Sequence, residues 1–177
     1  METKKAILKR RSCRRFTDKP VEKELLEELL QAGIWSPTAG NIQPWAFICI
    51  TDPKSIKNIR IVSPGMLGNP NAIICICSNR KKAFKRAGES GKTLALMDCA
   101  MASQNIMLRA FDLGLGTCVI RSFNQRAVRE LLAAPEHIHP ELLITIGYPA
   151  QIPPPPKRSE EVIFWEQFTE IQEEKSE

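Results

Sequence analysis

The chain has 177 residues, of which 43% are hydrophobic and 25% are charged, and its formal net charge is +5. This composition is ordinary for one globular domain with a sizeable core. No apolar run reaches the roughly 18 residues that a membrane-spanning helix needs, and the charged N-terminus lacks the apolar region of a signal peptide. We therefore expect a cytoplasmic protein with no membrane partner. The small basic excess does not by itself select nucleic acid, an anionic surface or a phosphorylated small molecule.

Six cysteines are present, and four of them, Cys49, Cys75, Cys77 and Cys99, lie in apolar stretches. This placement predicts buried free thiols in a reducing compartment. We expect Cys75 and Cys77 to point to opposite faces of a strand, and the chain contains no Cys-x-x-Cys pair. The sequence therefore predicts no metal site.

Predicted helices and strands alternate along the first 150 residues. Apolar spacing and the glycine and proline positions predict helices at residues 3–15, 21–34, 53–60, 93–113 and 124–132. Strands are predicted at residues 45–50, 72–77, 117–120 and 142–146. The helix at 93–113 is apolar on nearly all sides, so we expect it to be central and buried. The alternation predicts an α+β fold built from layers of helices and sheet.

A run of four prolines at residues 153–156 follows the last predicted strand and cannot join a sheet interior. We place one domain at residues 1–150 and a C-terminal tail at residues 151–177, with a short acidic helix at 159–173. The tail carries four large apolar residues: Ile163, Phe164, Trp165 and Phe168. Such residues need an apolar surface, and we expect a second copy of the chain to supply it.

Residues 10–15, with the sequence Arg-Arg-Ser-Cys-Arg-Arg, form the first polar segment that could carry chemistry. Guanidinium groups offer paired donors to phosphate oxygens, and a serine hydroxyl adds a short donor. The alternative is a solvated basic helix end, where cations are favoured by the helix dipole.

Two further polar segments occur later in the chain. Residues 36–45, Ser-Pro-Thr-Ala-Gly-Asn-Ile-Gln-Pro-Trp, form a loop whose polar groups could reach the edge of a planar ligand. The alternative is a plain helix-to-strand connection. Lys157 and Arg158 follow the prolines and could return to a phosphate, and the alternative there is a disordered chain end.

Together these segments resemble the nitroreductase family. The Arg-Arg-Ser-x-Arg-x-Phe pattern at 10–16 and the loop at 36–45 are similar to two motifs of that family. Gly-Leu-Gly-Thr at 114–117 and Gly-Tyr-Pro at 147–149 extend the resemblance over nearly the whole chain. The resemblance implies a three-layer fold, in which helices flank a central mixed, mainly antiparallel sheet. It also implies a homodimer with a domain-swapped tail.

The resemblance further implies an FMN-dependent oxidoreductase that moves two electrons from NAD(P)H to a small acceptor, such as a nitroaromatic compound or a quinone. Because hydride transfer to a flavin needs no acid–base side chain, we name no catalytic residue. Arg121 and Ser122 depart from the family, whose members often have glycines there. The alternative function is a non-catalytic flavin-binding or flavin-sensing protein.

The expected cofactor contacts fall into three groups. Arg10, Arg11, Ser12, Lys157 and Arg158 are assigned to the FMN phosphate, and Arg14 to the pyrimidine edge and ribityl chain. The groups assigned to the flavin ring are Pro37, Thr38, Ala39 and Asn41 from the other subunit, and the backbone at Ile120 and Arg121 near its N5.

Two other segments are predicted to have no role in binding. Residues 88–93 are similar to a phosphate-binding P-loop but lack its first glycine, since position 86 is an arginine. The basic run at residues 80–86 contains one aromatic residue and accompanies no nucleic-acid motif, which indicates a solvated helix face. We therefore expect no nucleic-acid partner.

Overall fold

The computed structural model describes residues 2–168, in which a four-stranded antiparallel sheet has the order β1-β2-β4-β3. The strands are β1 Trp45–Ile50, β2 Ala72–Asn79, β3 Gly116–Ile120 and β4 Ile138–Gly147. The helices are α1 Thr3–Lys9, α2 Lys23–Ile34, α3 Pro53–Ile61, α4 Arg80–Ala87, α5 Gly91–Asp112 and α6 Gln125–Leu131. The predicted α+β class is confirmed.

The central strand β2 is buried on both faces, which explains its uninterrupted apolar sequence. Alternate side chains of a strand point to opposite faces. Ile74 and Ile76 pack with residues of α2 and α5, whereas Ile73 packs with residues of α3 and α6. Helices therefore cover both faces of the sheet, as the three-layer prediction requires.

All six cysteines are free, and five of them are buried. The expectation that Cys75 and Cys77 point to opposite faces is wrong, because residues two apart on a strand share a face. Their Sγ atoms lie 3.6 Å apart in the same core. Within residues 2–168, no group of three His, Cys, Asp or Glu side chains is arranged to hold a metal ion. In the same residues, no helix is long and apolar enough to cross a bilayer.

The first helix is shorter than predicted, because α1 ends at Lys9 and not at residue 15. Ser12 instead forms a parallel bridge with Thr117, and the Cys13 N–H donates to the Thr117 carbonyl at 2.8 Å. Thr117 belongs to β3, an edge strand whose outer backbone groups are free to pair with another segment. The unpaired edge of the sheet draws the basic segment out of helical conformation.

The last strand is longer than predicted and begins at Ile138. Its pairing with β2 shifts by one residue at Glu141, which is the extra residue of a β-bulge. Pro140 is tolerated beside the bulge, where the ladder is interrupted. His139 therefore lies in a strand.

The tail departs from the prediction where it is described. Residues 159–168 form turns and bends and not the predicted acidic helix, and residues 169–173 lie outside the described part of the chain. Before that point the chain runs back along the N-terminal segment. The Ala150 N–H donates to the Arg15 carbonyl at 3.0 Å, and the Arg15 guanidinium donates to the Gln151 side chain at 3.3 Å.

Helix α5 is central but is not buried on all sides within one chain. Its inner face packs on the sheet, while the side chains of Leu96, Met97 and Met101 are 40%, 53% and 40% exposed. Scattered apolar residues on a surface are normal, but a stripe along one helix face marks an interaction surface. The prediction of complete burial is therefore wrong for a single chain.

Gly68 and Gly114 share a φ of +76°, so alanine at either position is strained to a similar degree. They differ in space: a Cβ at Gly68 would lie 2.0 Å from the Arg14 carbonyl oxygen, whereas one at Gly114 would meet nothing within 4 Å. We expect Gly68→Ala to lower the free energy of unfolding by about 1–3 kcal/mol more than Gly114→Ala, because the Arg14 backbone must move. Urea denaturation measures both, and equal losses would contradict the close approach.

Candidate functional site

The basic segment at residues 10–16 presents one polar face. In an extended segment alternate side chains point the same way, so Arg10, Ser12 and Arg14 share a side and Cys13 takes the other. Cys13 is buried, whereas Arg14 is exposed and Arg10 partly so. Within residues 2–168, the Arg10 and Arg14 guanidinium groups form no ion pair or hydrogen bond. Two unpaired guanidinium groups beside a hydroxyl are a donor set suited to an anion.

Arg11 and Arg15 are engaged elsewhere. The Arg11 guanidinium donates to the carbonyls of Leu8 at 2.9 Å and Arg10 at 2.7 Å, where it caps the end of α1. Arg15 contacts Gln151 in the returning tail. The structure thus separates Arg11 from the shared face of Arg10 and Arg14, although the sequence grouped all of them.

The two ends of the chain meet at this segment. Pro149, Ile152 and Pro153 line a cavity of about 80 Å³ together with Arg10 and Gly116. Ligand pockets for whole cofactors are typically about 300–1,000 Å³, so this cavity has room for only part of one. Lys157 and Arg158 lie a few residues farther along and are exposed. The structure shows no contact between them and Arg10.

The loop at residues 36–43 is held in an unusual backbone conformation. Asn41 and Gln43 both have φ of 51°, in the left-handed region that non-glycine residues seldom adopt. The Gln43 side-chain amide donates to the Asn41 side chain at 2.8 Å, and the Gln43 N–H donates to the Thr38 hydroxyl at 3.2 Å. Pro37 and Asn41 are exposed. Strained, exposed polar loops of this kind are common at binding sites.

Asp98 of α5 fixes this loop to the rest of the fold. It is 1% exposed, and its Oδ1 accepts from the Ala39 N–H at 3.1 Å. Its Oδ2 is buried with no hydrogen-bond partner in the described residues. Burial raises the pKa of the Asp98 carboxyl above its ordinary value. Sequence reasoning missed this residue, although a lone acid in an apolar helix was a usable signal.

The end of β3 forms the third part of the candidate site. Ile120 is buried, and Arg121 extends beyond the strand with its side chain 51% exposed. The Gly65 N–H donates to the Ser122 carbonyl at 3.1 Å, and a Cβ at Gly65 would lie 2.9 Å from the Ile120 side chain. The turn that contains Gly65 and Gly68 therefore links the end of β3 to the Arg14 backbone.

Helix α5 separates the loop from the basic segment. Asp98 holds the loop near the start of the helix, whereas Phe111, near its end, lines the cavity beside Arg10. Thirteen residues of α-helix span roughly 20 Å. Within one chain, the loop and the Arg10 cluster therefore lie at different levels of α5.

Comparisons with known proteins identify the family of this chain. The model of the Nitroreductase family matches residues 7–63 and 58–148. The chain belongs to the Nitroreductase family. A protein of Archaeoglobus fulgidus, named provisionally as an NADH dehydrogenase/NAD(P)H nitroreductase, is 34% identical over 84% of this chain and 86% of its own length. A Bacillus subtilis protein named FMN reductase (NADPH) is 26% identical over 85% of this chain and 67% of its own length.

Solved structures agree as well. A nitroreductase family protein of Clostridium difficile has a TM-score of 0.85 and 28% identity, covering 95% of this chain and all of the other. The predicted nitroreductase-like fold and enzyme class are confirmed, and the names of the relatives support FMN and NAD(P)H as cofactors. The individual cofactor contacts, the acceptor and the dimer stay predictions.

The raised pKa of Asp98 gives a pH-dependent prediction. An acid whose pKa is raised on folding stabilises the folded state most below its unfolded pKa, near 3.8, and loses that contribution as the pH rises through the folded pKa. Asp98→Asn keeps an oxygen that can accept from the Ala39 N–H and cannot ionise. We expect the unfolding free energy of the wild type, relative to this variant, to fall as the pH rises from about 4.

Urea denaturation of both proteins at several pH values measures that difference. Asp98→Ala is the control, because it removes the acceptor and is expected to lose about 1–3 kcal/mol at every pH. A difference between wild type and Asp98→Asn that stays constant over the pH range would show that the Asp98 carboxyl is not perturbed by burial.

Proposed function

We propose that this protein is a homodimeric FMN-dependent oxidoreductase that transfers two electrons from NAD(P)H to a small acceptor, such as a nitroaromatic compound or a quinone. The observation that carries the proposal is the unpaired donor set of Arg10, Ser12 and Arg14, lying beside the returning C-terminal segment. With a quinone, the balanced reaction converts NAD(P)H, a proton and the quinone into NAD(P)⁺ and the hydroquinone.

The residues of the basic face suit different parts of FMN. Arg10 and Ser12 would hold the phosphate, and Lys157 and Arg158 would reach it through a further movement of the exposed tail. Arg14 would place a positive charge at the pyrimidine edge, where it favours negative charge on the ring. Arg11 contacts the carbonyls of α1 and belongs to the structural support of this face.

Two chain segments would contact the flavin ring. The backbone at Ile120 and Arg121 would approach its N5 from the same chain. Pro37, Thr38, Ala39 and Asn41 would approach it from the second copy. When bound, FMN would supply the two-electron redox chemistry, and these residues would supply binding and orientation. Hydride transfer to the flavin needs no ionisable catalytic side chain.

The dimer follows from the position of the exposed stripe on α5. In a two-fold symmetric dimer the same patch meets itself. An axis that crosses α5 between Asp98 and Phe111 would exchange these two levels of the helix, which brings the loop of one chain towards the Arg10 cluster of the other. The domain at residues 1–150 would supply this interface. The tail from residue 151, with Ile163 and Trp165 64% and 88% exposed, would pack on the second copy.

A non-catalytic flavin-binding or flavin-sensing protein would share the phosphate site but would not turn over. Purified protein should be yellow, and NAD(P)H should bleach the flavin absorbance in the absence of oxygen. Addition of a quinone should restore the absorbance. Bleaching without recovery on any acceptor would favour the sensor, and a colourless protein that takes up no FMN would contradict both functions.

Arg10→Ala and Arg158→Ala test the phosphate site. Each removes one charge-assisted donor worth about 1.5–3 kcal/mol, so the Kd for FMN should rise roughly 10- to 100-fold. Fluorescence titration of the apoprotein measures the Kd. Arg126→Ala is the matched control, because Arg126 is exposed and pairs with Glu130 on α6. Unchanged FMN affinity in both test variants would remove the phosphate site from the proposal.

Met101→Glu tests the dimer. The wild type should show by light scattering a mass twice the 19.9 kDa of one chain. A carboxylate in an apolar contact is strongly unfavourable, so Met101→Glu should shift the protein to monomer and lose FMN. Lys54→Glu on the exposed side of α3 is the control. A monomeric variant that keeps full FMN occupancy would show that one chain holds the cofactor alone.

A further inference from the structure

A buried carboxylate lies beneath the end of β3. The Glu141 side chain is 4% exposed, and the Ser78 hydroxyl donates to its Oε1 at 2.6 Å. The Gln125 amide approaches its Oε2 at 3.4 Å. Glu141 is the extra residue of the bulge in β4, and bulges commonly redirect a side chain beside a functional site.

Two guanidinium groups share this one carboxylate. Arg80 lies 3.4 Å from Oε1 of Glu141, and Arg121 lies 3.9 Å from Oε2. A buried carboxylate needs one cation to balance it, so the cluster keeps one positive charge in excess. The Arg80 side chain is 31% exposed and that of Arg121 is 51% exposed. The excess charge is therefore most accessible at Arg121.

Other cations reinforce this charge. His139 precedes the bulge, and its pKa is lowered by burial first and then by the charges of Arg80, Arg129 and Lys92, with Glu141 acting in the opposite direction. The cations near this end of the sheet thus act on His139 from α4, α5 and α6 together. A ligand that approaches Arg121 meets a positive local potential.

Arg121 also lies at the rim of the proposed flavin site. It directly follows Ile120, and the next residue, Ser122, binds the turn that supports Arg14. A substrate stacked on the ring would pass this side chain. The Arg121 guanidinium carbon lies 5.8 Å from the centroid of the Phe123 ring, and the side chain is 51% exposed.

We propose that Arg121 makes this enzyme selective for anionic acceptors, that is, nitroaromatic compounds or quinones that carry a carboxylate or sulfonate group. Arg121 would pair with the anionic substituent, while Glu141 holds the guanidinium at the end of β3. The inference rests on the proposed oxidoreductase function and adds the substrate class.

The experiment uses holoenzyme and two acceptors, 1,4-naphthoquinone and its 2-sulfonate. The quantity measured is the ratio of kcat/KM for the sulfonate to kcat/KM for the neutral quinone, which cancels the intrinsic reactivity of each compound when proteins are compared. Arg121→Gln is expected to lower this ratio about 2- to 5-fold, the upper part of the range of a partly exposed ion pair. Arg121→Lys should keep most of the ratio, and Arg126→Gln should leave it unchanged.

Two further measurements make the test decisive. The ratio for the wild type should fall with added salt, because partly exposed charges are screened. The rate at which NAD(P)H bleaches the flavin, followed by stopped flow in wild type and Arg121→Gln, separates an effect on the nicotinamide donor from an effect on the acceptor. A slower bleaching with an unchanged acceptor ratio would assign Arg121 to the nicotinamide donor and overturn the proposal.

The failure of this inference differs from the failure of the proposed function. An active wild type whose acceptor ratio is the same in Arg121→Gln contradicts the inference alone. A wild type that oxidises NAD(P)H with neither acceptor contradicts the oxidoreductase function and the inference with it.

Discussion

The candidate site depends on backbone hydrogen bonds between segments that are far apart in sequence. Cys13 pairs with Thr117 at 2.8 Å, and the Thr17 N–H donates to the Tyr148 carbonyl at 2.9 Å. A Cβ on Gly116 would lie 2.8 Å from Cys13, so the basic segment can lie this close to β3 only because position 116 has no side chain. These contacts hold the segment extended, and the extended conformation places Arg10 and Arg14 on one face.

Much of this fold could be predicted from the sequence because its strongest signals are local. β1 was predicted with its observed bounds from a continuous apolar run, and α3 within one residue, because Asp52 and Pro53 mark its start. The family pattern found the loop at residues 36–45 and the basic segment. The family pattern did not reveal which arginine side chains are unpaired. The Arg11 guanidinium donates to a carbonyl at the end of α1, and this contact depends on where α1 ends.

The errors came from interactions that a local sequence does not reveal. Residues 10–15 favour a helix by themselves, but the open edge of β3 offers hydrogen bonds that a longer helix would forgo. Pro140 hid the start of β4, since a bulge accommodates it only when a partner strand is present. An apolar helix such as α5 has the same sequence whether its outer face is covered by its own chain or by another. The burial of α5 could therefore be inferred from the sequence, but not whether its own chain or a second copy covers the outer face.

Asp98 and Glu141 show how two buried acids can organise a site without touching a ligand. Each lies in an apolar segment, and each is hydrogen-bonded by groups distant in sequence: Asp98 by Ala39, and Glu141 by Ser78. Asp98 fixes the loop that is assigned to the flavin of the second copy. Glu141 lies below Arg121, which is assigned to the edge of the flavin site of its own chain. In a symmetric dimer each flavin site would combine the loop held by Asp98 in one chain with the end of β3 above Glu141 in the other. Burying a charge destabilises the fold unless it is paired or hydrogen-bonded. Glu141 meets this condition through Ser78 and Arg80, whereas Asp98 keeps one oxygen without a partner in the described residues while it positions the loop.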